Sequence, residues 1–326
     1  MPSYKTILVA IKDLDARTMP AVRKAAQLAK SQGATLELFH ALSDTILVDA
    51  LEAKRISLKD FEAERLAATQ KRLETLAKRI RKHDIEVTCA AEWDYPPAEA
   101  IVRRAMRIKA DLIVAERHAT RHVAGWMLAY TDWELLRHAP CPVLLVKQAR
   151  AWHRPVVMTA VDPFHSNAKP SRLDLTLLKA SAQLTTDLRG SLRVVHCVPT
   201  TAVVTTAFIN SPSLTDVAEA TLRKARKALA VEVARVPCPS HRLYVVEGSA
   251  RDALPKAARS LKADIVVMGA VSRSGLKRIF IGNTAEAVLD ALPCDVLVVK
   301  PGSFKTKIPR RGRGAQLIAL PTAMTG

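Results

Sequence analysis

The residues best suited to chemistry lie in one stretch, Gly269-Ala270-Val271-Ser272-Arg273-Ser274-Gly275-Leu276-Lys277-Arg278-Ile279-Phe280-Ile281-Gly282-Asn283-Thr284. It sits between an apolar run, Ile265-Val266-Val267-Met268, and a helical pattern that begins at Ala285. A strand, a glycine-punctuated basic loop and a helix start can together form an anion site. Free backbone N–H groups at the helix start point outward, and the helix dipole favours negative charge. Gly269 and Gly282 let the main chain approach a phosphate with no Cβ in the way, and Arg273, Lys277 and Arg278 add positive charge. A structural reading competes: Asn283 followed by Glu286 has the spacing of a capping box, which by itself accounts for Asn283.

Other reactive residue types lead to blander readings. His118 and His122 are four apart, but they fall in a loop after a strand with no third ligand, so no metal site is expected. His40 and His196 each end the second strand of their half and suit structural hydrogen bonding, since no Ser or Cys partner is fixed by motif. Cys89, Cys141, Cys197, Cys238 and Cys294 are odd in number and include no Cys-x-x-Cys, which argues against a disulfide framework or a thiolate zinc site. No carboxylate dyad is evident. No catalytic residue is assigned and an enzyme is not expected; any ATP hydrolysis should be slow without a general base or metal cage.

The elements that position the loop follow from an internal repeat. Residues 110–147 and 263–300 align without a gap at an offset of 153, with eleven identities that include Ala110/Ala263, Asp111/Asp264, Pro140/Pro293, Cys141/Cys294 and Lys147/Lys300. The chain is read as a duplication. The expected domains are 1–148, a linker at 149–154, 155–301, and a basic tail without fixed structure at 302–326. In each half, β-branched runs such as Val143-Leu144-Leu145-Val146 suit strands buried on both faces of a parallel sheet. They alternate with helical patterns: Pro20 opens one, Val22, Ala25, Ala26 and Ala29 give it a face, and Gly33 ends it. The fold class is α/β: two tandem doubly wound sandwiches, each with a mainly parallel five-stranded sheet between helices.

Composition narrows the function classes. The chain has 326 residues, 49% hydrophobic, and a formal net charge of +19. It is too apolar for disorder, and no run approaches the ~20 apolar residues of a membrane helix. No secretory signal is read at the N-terminus, so a cytoplasmic location is expected. The basic balance favours nonspecific contact with nucleic acid or other polyanions, although no nucleic-acid motif accompanies it.

The layout and the run VVMGAVSRSGLKRIFIGNTAEAVLDALPCDVLVVKP resemble the universal stress protein superfamily, and Thr131-Asp132-Trp133-Glu134-Leu135-Leu136-Arg137 is similar to its tandem members of the E type. The resemblance covers residues 4–301 and implies a stress-response protein of the Usp/HUP-like fold. Nucleotide-binding members carry Gly-x-x-Gly, nine residues, then Gly-Ser/Thr; here Ser272 and Asn283 depart from that pattern while the spacing holds. The resemblance places Gly269, Ser272, Gly282, Asn283 and Thr284 along the phosphates, Asp162 near the adenosine end, and Cys197 and Val198 at the base, with Met268 and Arg273 as further binding candidates. The implied ligand is ATP or AMP, held by the second half only, with Mg2+ accompanying ATP. The implied assembly is a homodimer, with the two halves packed within the chain.

In the first half Glu116 stands opposite Gly269, Ala119 opposite Ser272, Ala129 opposite Gly282, Tyr130 opposite Asn283 and Lys12 opposite Asp162. A carboxylate at a phosphate loop repels the ligand by about 1 kcal/mol per charge pair in water, so no triphosphate is expected there. The alternative function is a binder of a hydrophobic or lipid-like metabolite without nucleotide, lined by connections near Asp44–Leu58 and residues 201–216. A third is a nonspecific polyanion-binding stress protein.

Overall fold

The shared Ala-Asp of the repeat has a structural cause. Asp111 accepts hydrogen bonds from the backbone N–H groups of Lys5 at 2.9 Å and Thr6 at 3.0 Å. Asp264 accepts that of Val156 at 2.9 Å. Each aspartate thereby pins the start of the first strand of its half. In the computed structural model, the described residues are 4–117, 125–164, 173–199, 214–238, 240–269 and 283–319, the side chains of 125–130, 214–217 and 283–284 excepted.

Two units emerge, Tyr4–Pro140 with Lys305–Gly326, and Cys141–Phe304 with residues 1–3. The first unit opens with β1 (Thr6–Ala10), α1 (Pro20–Gln32), β2 (Thr35–Leu42), β3 (Thr45–Leu47) and α2 (Val48–Ala53). It continues with α3 (Leu58–Arg81), β4 (Val87–Trp93), α4 (Pro97–Ile108), β5 (Leu112–Glu116) and α5 (Gly125–His138). Its parallel strands lie in the order β4-β2-β1-β5. Pro20 sits at the entry of α1, and Gly33 closes it at φ 64°, a left-handed conformation that suits glycine. Leu73 and Ile80 of α3 are buried, while Leu66, one seven-residue step before them, is only partly so.

The second unit contains β6 (Val143–Val146), β7 (Val156–Ala160), α6 (Leu173–Asp187), β8 (Ser191–Val198) and α7 (Leu214–Ala234). It then runs through β9 (His241–Glu247), α8 (Ala250–Ser260), β10 (Ile265–Gly269), α9 (Asn283–Ala291) and β11 (Asp295–Val299). Its strand order is β6-β11-β10-β7-β8-β9. Five of these strands are parallel, as the sequence predicts for this half. β6 is the exception: it pairs antiparallel with β11, Val143 opposite Val298 and Leu145 opposite Val296. The last strand of the first repeat groups with the second unit, in which Cys141–Phe304 cluster. Lys147 and Gln148 reinforce this by donating their backbone N–H groups to Asp295 at 2.8 and 3.1 Å. Trp152, in the expected linker, is buried and donates its Nε1–H to the same carboxylate at 2.9 Å.

The tail also departs from expectation. β12 (Gln316–Ile318) pairs in parallel with β3, Gln316 opposite Thr45 and Ile318 opposite Leu47. Ahead of it, the Arg313 N–H donates to Asp94 at 2.8 Å and its guanidinium reaches Glu99 at 3.1 Å. Residues 305–319 are thus fixed on the first unit, through groups that a composition rich in Pro, Gly and Arg does not reveal.

Candidate functional site

In the second unit, β7, β8 and β9 run to one side of β10 and β11 to the other, so the strand order reverses between β7 and β10. In such sheets ligands bind outside the carboxyl ends of the strands at the reversal. Asp162 follows β7 there, half-buried, with its backbone N–H directed at the buried Asp174 carboxylate of α6 at 3.3 and 3.4 Å. Cys197 and Val198 end β8. Burial pushes the Cys197 thiol up to about 12, with the charge of Asp162 adding to the shift, which marks the two as neighbours. Met268 is buried in β10, and Gly269 ends it.

Gly269 has a packing reason of its own. A Cβ there would meet Leu173 Cδ2 of α6 at 2.8 Å, closer than two carbons can sit without a shift. Asn283 and Thr284 open α9. Ser272, Arg273 and Gly282 lie outside the described residues, as do the side chains of Asn283 and Thr284, His118 and His122, and residues 201–213. Among the described residues no group of His, Cys, Asp and Glu could hold a metal ion, and no helix is long and apolar enough to cross a membrane.

The two histidines do the same job. His40 Nδ1 lies 2.8 Å from the Ile11 carbonyl oxygen and His196 Nδ1 lies 3.1 Å from that of Val161. Each ties the end of the second strand to the residue after the first. Burial lowers the pKa of His40, which keeps it neutral near pH 7. The ring of Phe164 stands 5.5 Å from that of His196.

The corresponding reversal in the first unit, between β1 and β5, opens a cavity of about 760 Å³. Its floor is the ends of β1, β2 and β5 (Ala10, Phe39, Ala115), with Leu135 of α5, Ile101 of α4 and the Tyr95-Pro96-Pro97 turn beside them. Lys12, Asp44, Glu116 and Asp132 bring charge to it, and Gln316 of β12 contributes to the wall. Asp132 carries a raised pKa of about 6: burial drives it up, while the charges of Arg117 and Lys12 hold it down. Burial lowers the pKa of both those cations, against the pull of Asp132. Sequence reasoning singled out Lys12 and Glu116 as obstacles to phosphate but missed Asp132, Tyr95 and Gln316. The capping-box spacing of Thr131 and Glu134 suggests a helix start there, but α5 begins six residues earlier, at Gly125. Nothing in the sequence brings Gln316 near β3.

Two such doubly wound units in tandem, each with its strand order reversing at the same place, define the class. Residues 3–147 and 157–300 each match the Universal stress protein family, and the chain belongs to it. It is similar over its length to Universal stress protein E of Photorhabdus laumondii, at 26% identity covering 94% of this chain and 98% of that protein. The same protein of Escherichia coli K12 matches at 26% over 322 residues. A universal stress protein structure from Pseudomonas aeruginosa UCBPP-PA14 superposes with a TM-score of 0.69 at 27% identity, covering 92% of this chain and 94% of that one. One from Archaeoglobus fulgidus shares the fold, with a TM-score of 0.61 at 16% identity.

Proposed function

We propose that this universal stress protein acts in the stress response as a ligand-binding sensor rather than an enzyme, and that its second half takes an adenine nucleotide, ATP or AMP. The observation that supports this reading is the reversal of strand order between β7 and β10, which gathers Asp162, Cys197, Val198 and Gly269 at one edge beside the start of α9. The half-buried Asp162 carboxylate suits a ribose hydroxyl, and the backbone of Cys197 and Val198 offers hydrogen-bonding groups to a base edge. The triphosphate would face residues 270–284, with Mg2+ supplying charge neutralisation between its oxygens. We place the protein in the cytoplasm as a homodimer, which analytical ultracentrifugation checks.

Thermal unfolding with and without nucleotide tests the site. Ligand that binds only the folded state stabilises by about 2.7 kcal/mol at a hundredfold excess over Kd. The full chain should therefore melt a few degrees higher in ATP or AMP, and Gly282→Glu should abolish the rise. A rise that Gly282→Glu leaves intact, or no rise at all, would overturn the assignment.

A further inference from the structure

We propose that the C-terminal segment and the small β3–β12 sheet form a docking surface for an anionic lipid bilayer, against which the protein rests without crossing it. The proposal concerns no crevice of either half and does not rest on the nucleotide reading.

Exposed aliphatic side chains mark the place. Among the described residues the exposed large hydrophobics are Leu47, Ile56, Phe164, Val231, Leu317 and Ile318. Four of them fall on one small structure. Leu47 ends β3 and stands opposite Ile318 of β12, Leu317 precedes Ile318, and Ile56 follows α2, which continues directly from β3. Single exposed hydrophobics are ordinary, whereas a group of them signals an interaction surface.

Charge says what kind. Lys305, Lys307, Arg310 and Arg311 lead into β12. All four are exposed, and among the described residues none of their side chains forms an ion pair or hydrogen bond. Residues 302–319 contain no acid. The nearby carboxylates do not cancel the four. Asp94 and Glu99 are engaged by Arg103 and Arg313. Asp44 pairs with Arg65 at 3.3 Å, and Asp60 accepts the Ser57 hydroxyl at 2.6 Å. Across α2 and the start of α3, Asp49, Glu52, Glu62 and Glu64 outnumber Lys54, Arg55 and Lys59 by one. Four cations less that one leaves a surplus of three.

Both kinds of side chain belong to a fixed segment. The pairing of β12 with β3 and the hold of Arg313 on Asp94 and Glu99 present them from one place, which reduces the ordering cost of binding. A bilayer interface uses both, since headgroup phosphates attract the cations and the acyl boundary takes the aliphatic groups. Nucleic acid would use the charge alone. Single strands add stacking on aromatic rings, and the rings here are covered: Tyr95 by Arg313 at 5.8 Å and Phe304 by Lys300 at 4.0 Å.

Flotation of the full-length protein with vesicles tests the surface. Vesicles of equal parts phosphatidylglycerol and phosphatidylcholine should carry the protein, and vesicles of phosphatidylcholine alone should not. A lysine or arginine near an anionic surface contributes about fivefold to partitioning. Changing Lys305, Lys307, Arg310 and Arg311 together to Gln should therefore weaken vesicle binding by at least about a hundredfold, with the melting temperature unchanged. Leu317→Ser with Ile318→Ser should weaken it about tenfold and leave retention on duplex DNA as it was. Leu47→Ser, on the neighbouring strand and outside the tail, should weaken vesicle binding in the same direction. No flotation with anionic vesicles, equal flotation with neutral ones, or indifference to the charge variant would each overturn the proposal. So would indifference to both apolar variants, and so would tighter binding of duplex DNA than of vesicles, which would give the surface to nucleic acid.

Discussion

The carboxylate of Asp94 accepts two hydrogen bonds from the guanidinium of Arg103, at 2.6 Å from Nε and 2.8 Å from Nη2, and both side chains are almost wholly buried. Glu99 takes another guanidinium nitrogen at 2.9 Å. Asp94 also receives the backbone N–H of Arg313, so one buried ion pair ties the β4–α4 turn to the C-terminal segment.

Removing one partner of a buried pair leaves the other charge unsatisfied and costs about 3–5 kcal/mol. Arg103→Ala should destabilise the first unit by that order, read by urea unfolding. Asp94→Ala should do the same and also loosen residues 305–319, so that limited trypsin digestion at Lys305, Lys307 and Arg310 proceeds faster than in the unaltered protein.

Lys300 makes stability depend on pH. It is buried at the end of β11, its ammonium 4.0 Å from the Phe304 ring centroid, and burial lowers its pKa to about 7 against the pull of Cys141. In the unfolded chain the group stays protonated to about 10.4. The folded state thus binds fewer protons across the interval, and stability rises with pH. Between pH 7 and 9 the Lys300 contribution should grow by about 2 kcal/mol, read as the difference in pH dependence between the unaltered protein and Lys300→Met. Chemical denaturation at pH 7, 8 and 9 measures it. From about pH 8.5 upward the ionisation of unfolded cysteines works in the opposite direction, since burial holds Cys89, Cys197 and Cys294 near 12 in the folded state.

Gly269→Ala separates packing from binding. The added methyl group collides with Leu173, and overpacking of this kind costs about 1–3 kcal/mol. Pairing it with Leu173→Ala should recover part of the loss, since the second change frees the space the first one needs. Recovery in a double-mutant thermal series would assign the glycine to helix–sheet packing; failure of the second change to help would point to the backbone instead.

Much of this architecture is legible in the sequence because it is local or repeated. Strands with continuous β-branched character, the Pro20 and Gly33 boundaries of α1, and the recurring Asp111 and Asp264 all report constraints satisfied within a few residues or copied between halves. The same holds for His40 and His196. The parts that escape are those fixed by distant partners. Val143–Val146 reads as the fifth strand of its own repeat, and only the burial of Asp295 beneath Trp152, Lys147 and Gln148 shows where it pairs. The tail reads as disordered because its anchors are backbone groups and one arginine, received by an aspartate some two hundred residues earlier. Nothing local sets Asp132 apart, since the cavity beside it is made by residues from six other elements.

The parallel pairing of β12 with β3 joins residues 316–318 to residues 45–47. A first unit excised as residues 4–140 therefore loses one strand of that small sheet, together with the Arg313 contacts to Asp94 and Glu99.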